Sequence, residues 1–193
     1  MNADKFVVVY ENGVLAAILQ DAFHVIQTDE VNAESTLEFE LYFTDPKRGV
    51  VKNQAEVRIG GQAYKVKTVT DKKEAGTAKT TSVYAENLYY DLARAARLET
   101  VVFDVVKAGS AMAYALQNTA WSIGTIGINA TRSFESDADN PLALLQLIAD
   151  VYGGELVFHS VEKTVDLVER TGGDNGMVFH FKKNMKSIER TAS

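Results

Sequence analysis

The sequence predicts an α+β protein in which a small antiparallel β-barrel or sandwich domain carries an inserted α+β domain. Short segments of strand character, separated by tight-turn residues, fill the first half of the chain, and clear helical periodicity begins only after them. No flexible linker separates the two halves. We expect a barrel-like domain over residues 1–98 and an inserted domain over residues 99–176, with a strand near residues 177–193 returning to complete the barrel.

The chain opens with a predicted β-hairpin. Residues 6–10 are rich in β-branched side chains, which favour strands. Asn12 and Gly13 form the residue pair that supplies positive φ at both central positions of a type I′ turn. The return strand is therefore expected over residues 14–19.

Further strands are predicted along the rest of the first domain. Residues 24–31 form the next one, and residues 37–43 alternate apolar and polar side chains in the pattern of a half-buried strand. Gly60 and Gly61 are expected to join a second tight hairpin. A strand over residues 80–85 is expected to close the barrel.

The second domain is predicted to mix helices with strands. Leucines at helical spacing predict a helix over residues 85–97, and residues 101–106 and 123–131 have strand character. Between these strands a short helix is expected. It would begin at Ser110, whose side chain can cap a helix, and would run to residue 117.

The short helix should turn one apolar face toward the core. At helical spacing this face would contain Met112 and Leu116, together with Ala113. Trp121 follows directly and is expected to lie beside the next strand.

The best-defined helix is predicted to begin after Asn140. The side-chain oxygen of Asn140 can accept a hydrogen bond from a first-turn amide, and Pro141 suits the first helical position. Apolar residues cover most of the helix circumference, so neighbouring elements must bury it on most sides. Gly153 and Gly154 can adopt the left-handed conformation that ends a helix.

A β-hairpin is predicted after this helix. Residues 155–159 and 164–169 alternate around a short polar turn. A glycine-rich turn over residues 172–176 then leads to a last strand over residues 177–181. The helix and hairpin together form a scaffold without an obvious catalytic motif.

The composition is that of an ordinary globular protein. Of the 193 residues, 46% are hydrophobic and 24% are charged, and the absence of cysteine excludes disulfides and thiolate chemistry. No apolar run approaches the roughly 20 residues that cross a bilayer. The start of the sequence lacks the features of a signal peptide, so we expect synthesis in the cytosol without export by a signal of its own. A net charge of −6 argues against nucleic acid as a partner.

The charged residues are distributed unevenly along the first domain. Residues 6–46 contain eight acidic residues and no lysine or arginine, whereas residues 47–79 contain nine basic and three acidic residues. This asymmetry predicts complementary surfaces, either between neighbouring strands or between copies of the chain. We favour neutralisation between strand neighbours of one subunit.

No catalytic, cofactor-binding or metal-binding residue can be assigned from the sequence. His24, His159 and His180 lie in no ligand or catalytic spacing and are expected to be structural. No serine lies in a GxSxG elbow, and the glycines at 124 and 127 lack the Lys-Ser/Thr pair of a phosphate-binding loop.

An acidic triplet precedes the capped helix. Glu135, Asp137 and Asp139 could offer oxygen ligands to calcium, but the segment lacks the glycine and the distal glutamate of an EF-hand loop. Carboxylates in this position interact favourably with the positive end of the helix dipole. We therefore interpret the triplet as part of the helix start.

A tyrosine cluster is the remaining candidate site. Tyr84, Tyr89 and Tyr90 could stack on sugar or base rings, because aromatic faces suit both. Such clusters also form packing seams whose hydroxyl groups reach the rim, and we favour that interpretation.

Four segments follow one another in a recognisable order. They are VYAENLYYDL (residues 83–92), NPLALLQLIADVYGGELVF (residues 140–158), VDLVERTG (residues 165–172) and FKKNMKSIERT (residues 181–191). Together they resemble the N-terminal hub region of phage and prophage tail-associated proteins, the prophage tail endopeptidase family of tail-tip or baseplate hubs. The resemblance covers essentially the whole chain.

The resemblance implies a fold like that of phage baseplate hub proteins, in which three copies form a ring at the end of the tail. Longer family members continue beyond the motif that matches residues 183–190, so this chain is expected to be the N-terminal part of a longer protein. The endopeptidase label belongs to later domains of some members. No catalytic residue is therefore transferred to this chain.

The predicted function is that of a structural virion protein without cofactor or enzymatic activity. It would close the tail tube, contact the distal tail protein and the tape-measure protein, and carry domains directed at the host cell wall. Two alternatives stay open. One is a peptidoglycan-degrading endopeptidase that depends on His159, His180 or Asp137, and the other is a carbohydrate-binding receptor module that uses Trp121 or the tyrosines.

Overall fold

The computed structural model describes residues 6–73, 75–95 and 98–170, and their elements form two packed units. The strands are β1 (Val7–Glu11), β2 (Val14–Leu19), β3 (Phe23–Asp29), β4 (Ser35–Tyr42), β5 (Glu56–Ile59), β6 (Gln62–Lys72), β7 (Thr80–Asn87), β8 (Val101–Lys107), β9 (Ser122–Ile126), β10 (Thr131–Ser136), β11 (Glu155–His159) and β12 (Thr164–Val168). The α-helices are α1 (Ala108–Leu116) and α2 (Pro141–Tyr152), and 3₁₀ segments lie at Arg48–Val50 and Leu88–Arg94.

The first unit is one curled, antiparallel, seven-stranded sheet with the order β2-β1-β5-β6-β7-β4-β3. Both predicted tight turns are confirmed. Asn12 and Gly13 have φ values of 52° and 78°, and Gly60 and Gly61 have values of 58° and 76°. These left-handed residues let consecutive strands reverse without splaying apart.

Alternation along the strands places one face of the sheet in the core. Leu37, Phe39 and Leu41 of β4 are almost fully buried, as the sequence pattern predicts. The predicted strand over residues 80–85 is confirmed within β7, which lies inside the sheet and joins β6 to β4. An interior strand needs partners on both sides, and no feature of a single strand sequence identifies them.

The two outer strands of the sheet are consecutive in the chain. Only three residues connect Leu19, at the end of β2, to Phe23, at the start of β3. Four Cα steps span at most about 15 Å, so these two ends must lie close together. The sheet therefore curls into a half-barrel, which confirms the predicted α+β class with its small antiparallel barrel.

The second unit combines two small sheets with α1 and α2. Strands β8 and β10 form an antiparallel ribbon, and the order β11-β12-β9 forms a sheet in which β12 and β9 are parallel. The prediction of one strand over residues 123–131 is wrong. The chain leaves β9 after Ile126 and enters β10 at Thr131, because these strands belong to different sheets.

The predicted helix over residues 85–97 is also wrong in its start and type. Residues 85–87 complete β7, and the 3₁₀ helix Leu88–Arg94 begins only afterwards. The side chain of Asn87 accepts a hydrogen bond from the backbone N–H of Tyr89 at 3.2 Å and so caps this helix. Leu88 and Leu92 are nevertheless buried, as their spacing predicts.

The start of α1 differs from the prediction in the same way. The helix begins at Ala108, so Ser110 lies inside its first turn and does not cap it. Met112 and Leu116 are buried, but Ala113 faces solvent. The helix follows β8 immediately, with Lys107 at the N-cap position, three residues before Ser110.

The predictions for α2 are confirmed at both ends. Asn140 accepts a hydrogen bond from Ala143 N–H at 2.9 Å, and Pro141 occupies the first turn. Gly153 ends the helix with φ of 70°. Gly154 has a different role, since a Cβ at that position would lie 2.6 Å from Cδ1 of Ile128.

Two hydrophobic cores hold the described residues together. One lies inside the half-barrel, and the other lies between the helices and sheets of the second unit. The predicted strand near residues 177–193 lies outside the described residues, as does His180. The division into domains at residues 98 and 176 stays a prediction.

Candidate functional site

The junction between the two units is the best-developed site in the described residues, and Asn32 is at its centre. This residue lies between β3 and β4 with φ of 56°, a conformation that asparagine tolerates better than most residues. Its side-chain oxygen accepts a hydrogen bond from Leu156 N–H at 2.7 Å, and its amide donates to the Gly154 carbonyl at 3.4 Å. The amide of Gln146 donates to the Asn32 carbonyl at 3.1 Å. One residue of the first unit thus binds α2 and β11 of the second.

Ser160 makes the reciprocal contact from the second unit. Its hydroxyl is fully buried, accepts a hydrogen bond from Ala63 N–H at 2.7 Å and donates to the Gln62 side-chain oxygen at 2.6 Å. The amide nitrogen of Gln62 donates to the Phe158 carbonyl at 3.1 Å, and Asn87 donates to the Gln62 side-chain oxygen at 3.2 Å. The network satisfies polar groups that would be costly to bury alone.

Aromatic rings pack beside this network. Tyr89 lies between Tyr90 and Phe158, with ring centroids 4.6 and 4.3 Å away. Trp121 meets the Phe158 ring edge-on at 5.8 Å. The Tyr89 hydroxyl donates to the Ala33 carbonyl at 2.6 Å, and burial strongly raises the pKa of this tyrosine. The Tyr89 hydroxyl therefore stays protonated, and the side chain serves for packing and hydrogen bonding.

A cleft of about 440 Å³ runs along the junction. Asp29 and Glu30 lie on the first-unit side, and Leu142 and Arg170 lie on the second-unit side. The side chains of Asn32, Gln62 and Gln146 in its walls are already hydrogen-bonded across the junction. This arrangement favours one orientation of the two units.

The structure separates the predicted histidines. His24 lies on the exposed edge strand β3, 3.9 Å from a carboxylate oxygen of Glu40. His159 lies on β11 in the other unit, with its Nε2 atom 3.0 Å from Oδ2 of Asp166. The two described histidines therefore belong to different sheets and share no site.

The pair formed by His159 and Asp166 resembles part of a catalytic arrangement but is incomplete among the described residues. Partial burial would raise the pKa of Asp166, but hydrogen bonds from His159 and from Thr125 N–H, at 2.6 Å, outweigh it and lower the pKa. No described hydroxyl is hydrogen-bonded to His159. A Cβ at Gly124 would lie 2.0 Å from Oδ1 of Asp166, so a larger residue at that position would displace the carboxylate.

The acidic triplet is not brought together as a metal site. Glu135 lies in β10, whereas Asp137 and Asp139 lie in the loop before α2. Within the described ranges, no group of three or more histidine, aspartate or glutamate side chains could hold a metal ion. The first turn of α2 contains no acidic residue, and Asn140 supplies its cap.

The tyrosine cluster is divided between the interior and the surface. Tyr89 is buried at the junction, whereas Tyr84 lies on the outer face of β7, where partial burial and the nearby Glu86 raise its pKa. The favoured interpretation of a packing seam therefore applies to Tyr89. The polar residues at the centre of the junction, Asn32 and Ser160, were not predicted as a site.

Ion pairs between described residues neutralise the acidic and basic stretches only in part. Most ion pairs of the basic stretch use its own acids or later ones: Arg48 and Lys79 pair with Asp71, Arg58 pairs with Glu56, and Lys65 and Lys67 pair with Asp91 and Glu86. One ion pair between described residues, Lys52 to Glu11 at 3.5 Å, links the basic stretch to the acidic one. Several carboxylates of the acidic stretch form no ion pair with a described cation, including Asp21, Asp29, Glu30 and Glu38.

Comparisons with known proteins agree with this architecture. Residues 7–87 match the sequence model described as the prophage endopeptidase tail N-terminal domain, and residues 95–167 match the prophage endopeptidase tail domain. No curated protein sequence matches the chain. Among the described residues, no helix has the length and apolar character to span a membrane.

Several solved structures share the fold. Prophage tail protein gp18 from Listeria monocytogenes superposes with a TM-score of 0.75 at 16% identity, covering 94% of this chain and 56% of that protein. The 43 kDa tail protein of prophage MuSo2 from Shewanella oneidensis gives 0.62 at 13% identity, with 95% and 58% covered. A tail protein from Neisseria meningitidis gives 0.60 at 14% identity, with 84% and 49% covered. The chain thus spans about half the length of these proteins.

Proposed function

We propose a hub function at the tail tip or baseplate for this chain, which belongs to the prophage endopeptidase tail family and is a structural component of a phage tail. In this role it closes the tail tube and contacts the distal tail protein and the tape-measure protein. It also carries host-directed domains that lie elsewhere in the complete protein. Three copies form a ring around the tail axis.

The hydrogen-bonded and aromatic junction is the observation that supports this proposal. Asn32 and Ser160 link the backbones of the two units directly, and Tyr89 packs between them. A module that joins a tube to distal domains must hold its parts in one orientation under load. Units with a shared core meet that requirement better than units joined by a flexible linker.

The acidic stretch supports assembly through contacts between copies. Its carboxylates that form no ion pair with a described cation can steer and orient a neighbouring subunit with a basic surface. The proposed division into a hub domain over residues 1–98 and an insertion over residues 99–176 gives each copy two units for such contacts.

Light scattering on the full-length protein tests the ring. We expect the mass of three chains at micromolar concentrations, and a monomer at high concentration would contradict the proposal. Incubation of the purified 193-residue chain with bacterial cell walls tests the structural assignment. Release of wall fragments that is lost in a His159→Ala variant would instead identify an enzyme.

A further inference from the structure

One edge of the half-barrel sheet is open beside the junction cleft. Strand β3 is the last strand in the sheet order and, among the described residues, pairs with β4 alone. Its bulge lies at the Phe23 end, and residues 26–29 pair regularly with β4. The strand contains no lysine, arginine or proline of the kind that guards a sheet edge. The backbone groups on the side of β3 away from β4 can therefore pair with a further strand.

The side chains of β3 are poorly covered. Five of its seven residues are exposed, whereas its neighbour β4 buries alternate residues in the core. Two of the exposed residues are aliphatic, Val25 at 38% and Ile26 at 56%, and Val31 just beyond the strand is 58% exposed. Burial of such aliphatic surface by a further strand is favourable. The open edge is thus apolar as well as unpaired.

The open edge is also acidic. Its carboxylates lie on β3, on β4 and on the turn that joins them, and they are Asp29, Glu30, Glu34, Glu38 and Glu40. Glu40 lies 3.9 Å from His24, and the other four form no ion pair with a described cation. The cations at this edge are His24 and Lys72 at its Phe23 end and Arg170 at the cleft. Carboxylates outnumber cations, so the edge favours a basic partner.

The last described residue lies at the same edge. Arg170 lines the junction cleft together with Asp29, the final residue of β3, and with Val31. No described residue of β2, the other edge strand of the sheet, lines this cleft. Seven Cα steps join Arg170 to Met177 and span at most about 25 Å, which is enough to cross the cleft. A strand that begins there and follows β3 runs antiparallel to it.

The sequence that follows has the character that this edge requires. Residues 177–181 alternate, with Met177, Phe179 and Phe181 separated by Val178 and His180, which is the period of a strand. Residues 177–193 contain four basic residues and one acidic residue, which are Lys182, Lys183, Lys186, Arg190 and Glu189. The segment is therefore apolar where β3 exposes aliphatic side chains and basic directly afterwards.

We propose that residues 177–181 dock on the open edge of β3 in the same chain and pair antiparallel with residues 26–29. The face that contains Phe179 covers Ile26. The lysines that follow come within reach of Glu38 and Glu40, which lie opposite Ile26 and Phe23 on β4. The pairing returns the chain to the half-barrel, so the second unit is an insertion held at both of its ends. It concerns one chain and does not depend on the proposed hub function.

A disulfide tests this pairing directly, because the chain contains no cysteine. Opposed residues on neighbouring strands have the Cβ separation that a disulfide needs. We combine Ile26→Cys with Met177→Cys, Phe179→Cys or Phe181→Cys in turn, in the 193-residue chain at low micromolar concentration under mild oxidation. Mass spectrometry should show that one of the three pairs closes within a single chain in most molecules.

The control places the first cysteine on the other edge strand. Leu15→Cys on β2 is matched to Ile26→Cys in exposure, 52% against 56%, and should trap the same partners about tenfold less. Equal trapping with Leu15→Cys would overturn the proposal. So would a disulfide that links two chains, since a second copy would then occupy the edge, or the absence of a disulfide in all three pairs.

Hydrogen exchange gives a readout without cysteine. Phe179→Pro removes a backbone donor from the segment, so the amides of residues 26–29 should exchange about tenfold faster than in the unsubstituted chain. Thr191→Pro, beyond the paired residues, is the control and should leave them unchanged. Amides of α2 report whether the variant is folded. Unchanged exchange of residues 26–29 in folded Phe179→Pro would overturn the proposal.

A charge reversal keeps the test decisive if α2 also exchanges faster in Phe179→Pro. Lys182→Glu with Lys183→Glu places two further acids beside Glu38 and Glu40, so the exchange of residues 26–29 should rise about threefold at low salt and less at high salt. No rise at low salt would likewise overturn the pairing.

Discussion

The two hydrophobic cores of the molecule are built differently. Among the described residues, the core of the half-barrel is built from the first unit alone, mostly from the inward faces of its strands. The core of the second unit takes in Ala63, Leu88 and Tyr89, which all belong to the first half of the chain. The first core is therefore complete in itself, whereas the second is completed by its neighbour.

This difference favours a junction that restrains relative motion of the two units. Interfaces between domains are ordinarily more polar than domain cores and permit relative motion. Here Tyr89 is as buried as the helical residues with which it packs, and the polar groups around it are hydrogen-bonded. We expect the second unit to lose its stability when the junction is damaged, and the half-barrel to tolerate the same damage.

Truncation of Tyr89 should have the largest effect. Tyr89→Ala removes the stack on Phe158 and leaves the Ala33 carbonyl without its donor, so the free energy of unfolding should fall by about 3–5 kcal/mol. Urea unfolding, followed through Trp121 fluorescence for the second unit, measures the loss. Tyr84→Ala on the outer face of β7 is the control and should cost less than about 1 kcal/mol. An equal loss of unfolding free energy in Tyr89→Ala and Tyr84→Ala would contradict the shared core.

Removal of the Ser160 hydroxyl should have the next largest effect. Ser160→Ala leaves the buried Ala63 N–H unpaired, which costs about 1–3 kcal/mol. Ser133→Ala removes a hydroxyl that is exposed on the ribbon and serves as the matched control. Chemical denaturation of both variants compares them. If the two substitutions cost the same, the junction network does not stabilise the second unit.

Substitution of Asn32 separates the contribution of its backbone conformation to stability from that of its side-chain hydrogen bonds. Asn32→Gly keeps the left-handed conformation and loses the hydrogen bonds to Leu156 and Gly154, so we expect a loss of about 1–2 kcal/mol. Asn12→Gly in the exposed hairpin turn has the same φ requirement without contacts across the junction, and it should be nearly neutral. Thermal unfolding of both variants measures the difference. Equal shifts in the melting temperature would show that the backbone conformation alone contributes to stability.

Local signals made part of this fold predictable. The Asn12-Gly13 turn and the Asn140 cap depend on neighbouring residues only, and both are confirmed. The contact between Ser160 and Ala63 joins residues 97 positions apart, and a lone serine gives no indication of its partner. For the same reason the position of β7 inside the sheet could not be derived from its own sequence.

The same limit applies to a bulge in the ribbon formed by β8 and β10. Val105 lies in a run of β-branched residues that predicts a strand correctly, and the bulge arises only because two residues of β8 share one partner on β10. A pattern of residue types cannot show such a mismatch. The two unpredicted features, the junction network and the bulge, are both products of tertiary pairing.

The smallest expected effect concerns Asp166, on the outer face of the second unit. Its pKa is lowered in the folded protein, so its charge stabilises the fold above the ordinary carboxyl pKa of about 4, and this contribution is lost as the pH falls below that value. Asp166→Asn should therefore lower the melting temperature slightly at pH 7 and have a diminishing effect below pH 4.

The same measurement on a second carboxylate tests whether the two cores unfold separately. The pKa of Asp71, on β6 of the first unit, is likewise lowered, mainly by its hydrogen bond with Arg48. If the half-barrel is stable alone, Asp71→Asn should shift the last unfolding transition in calorimetry at pH 7, and Asp166→Asn only the earlier one. A single transition that both substitutions shift equally would show that the two cores unfold together.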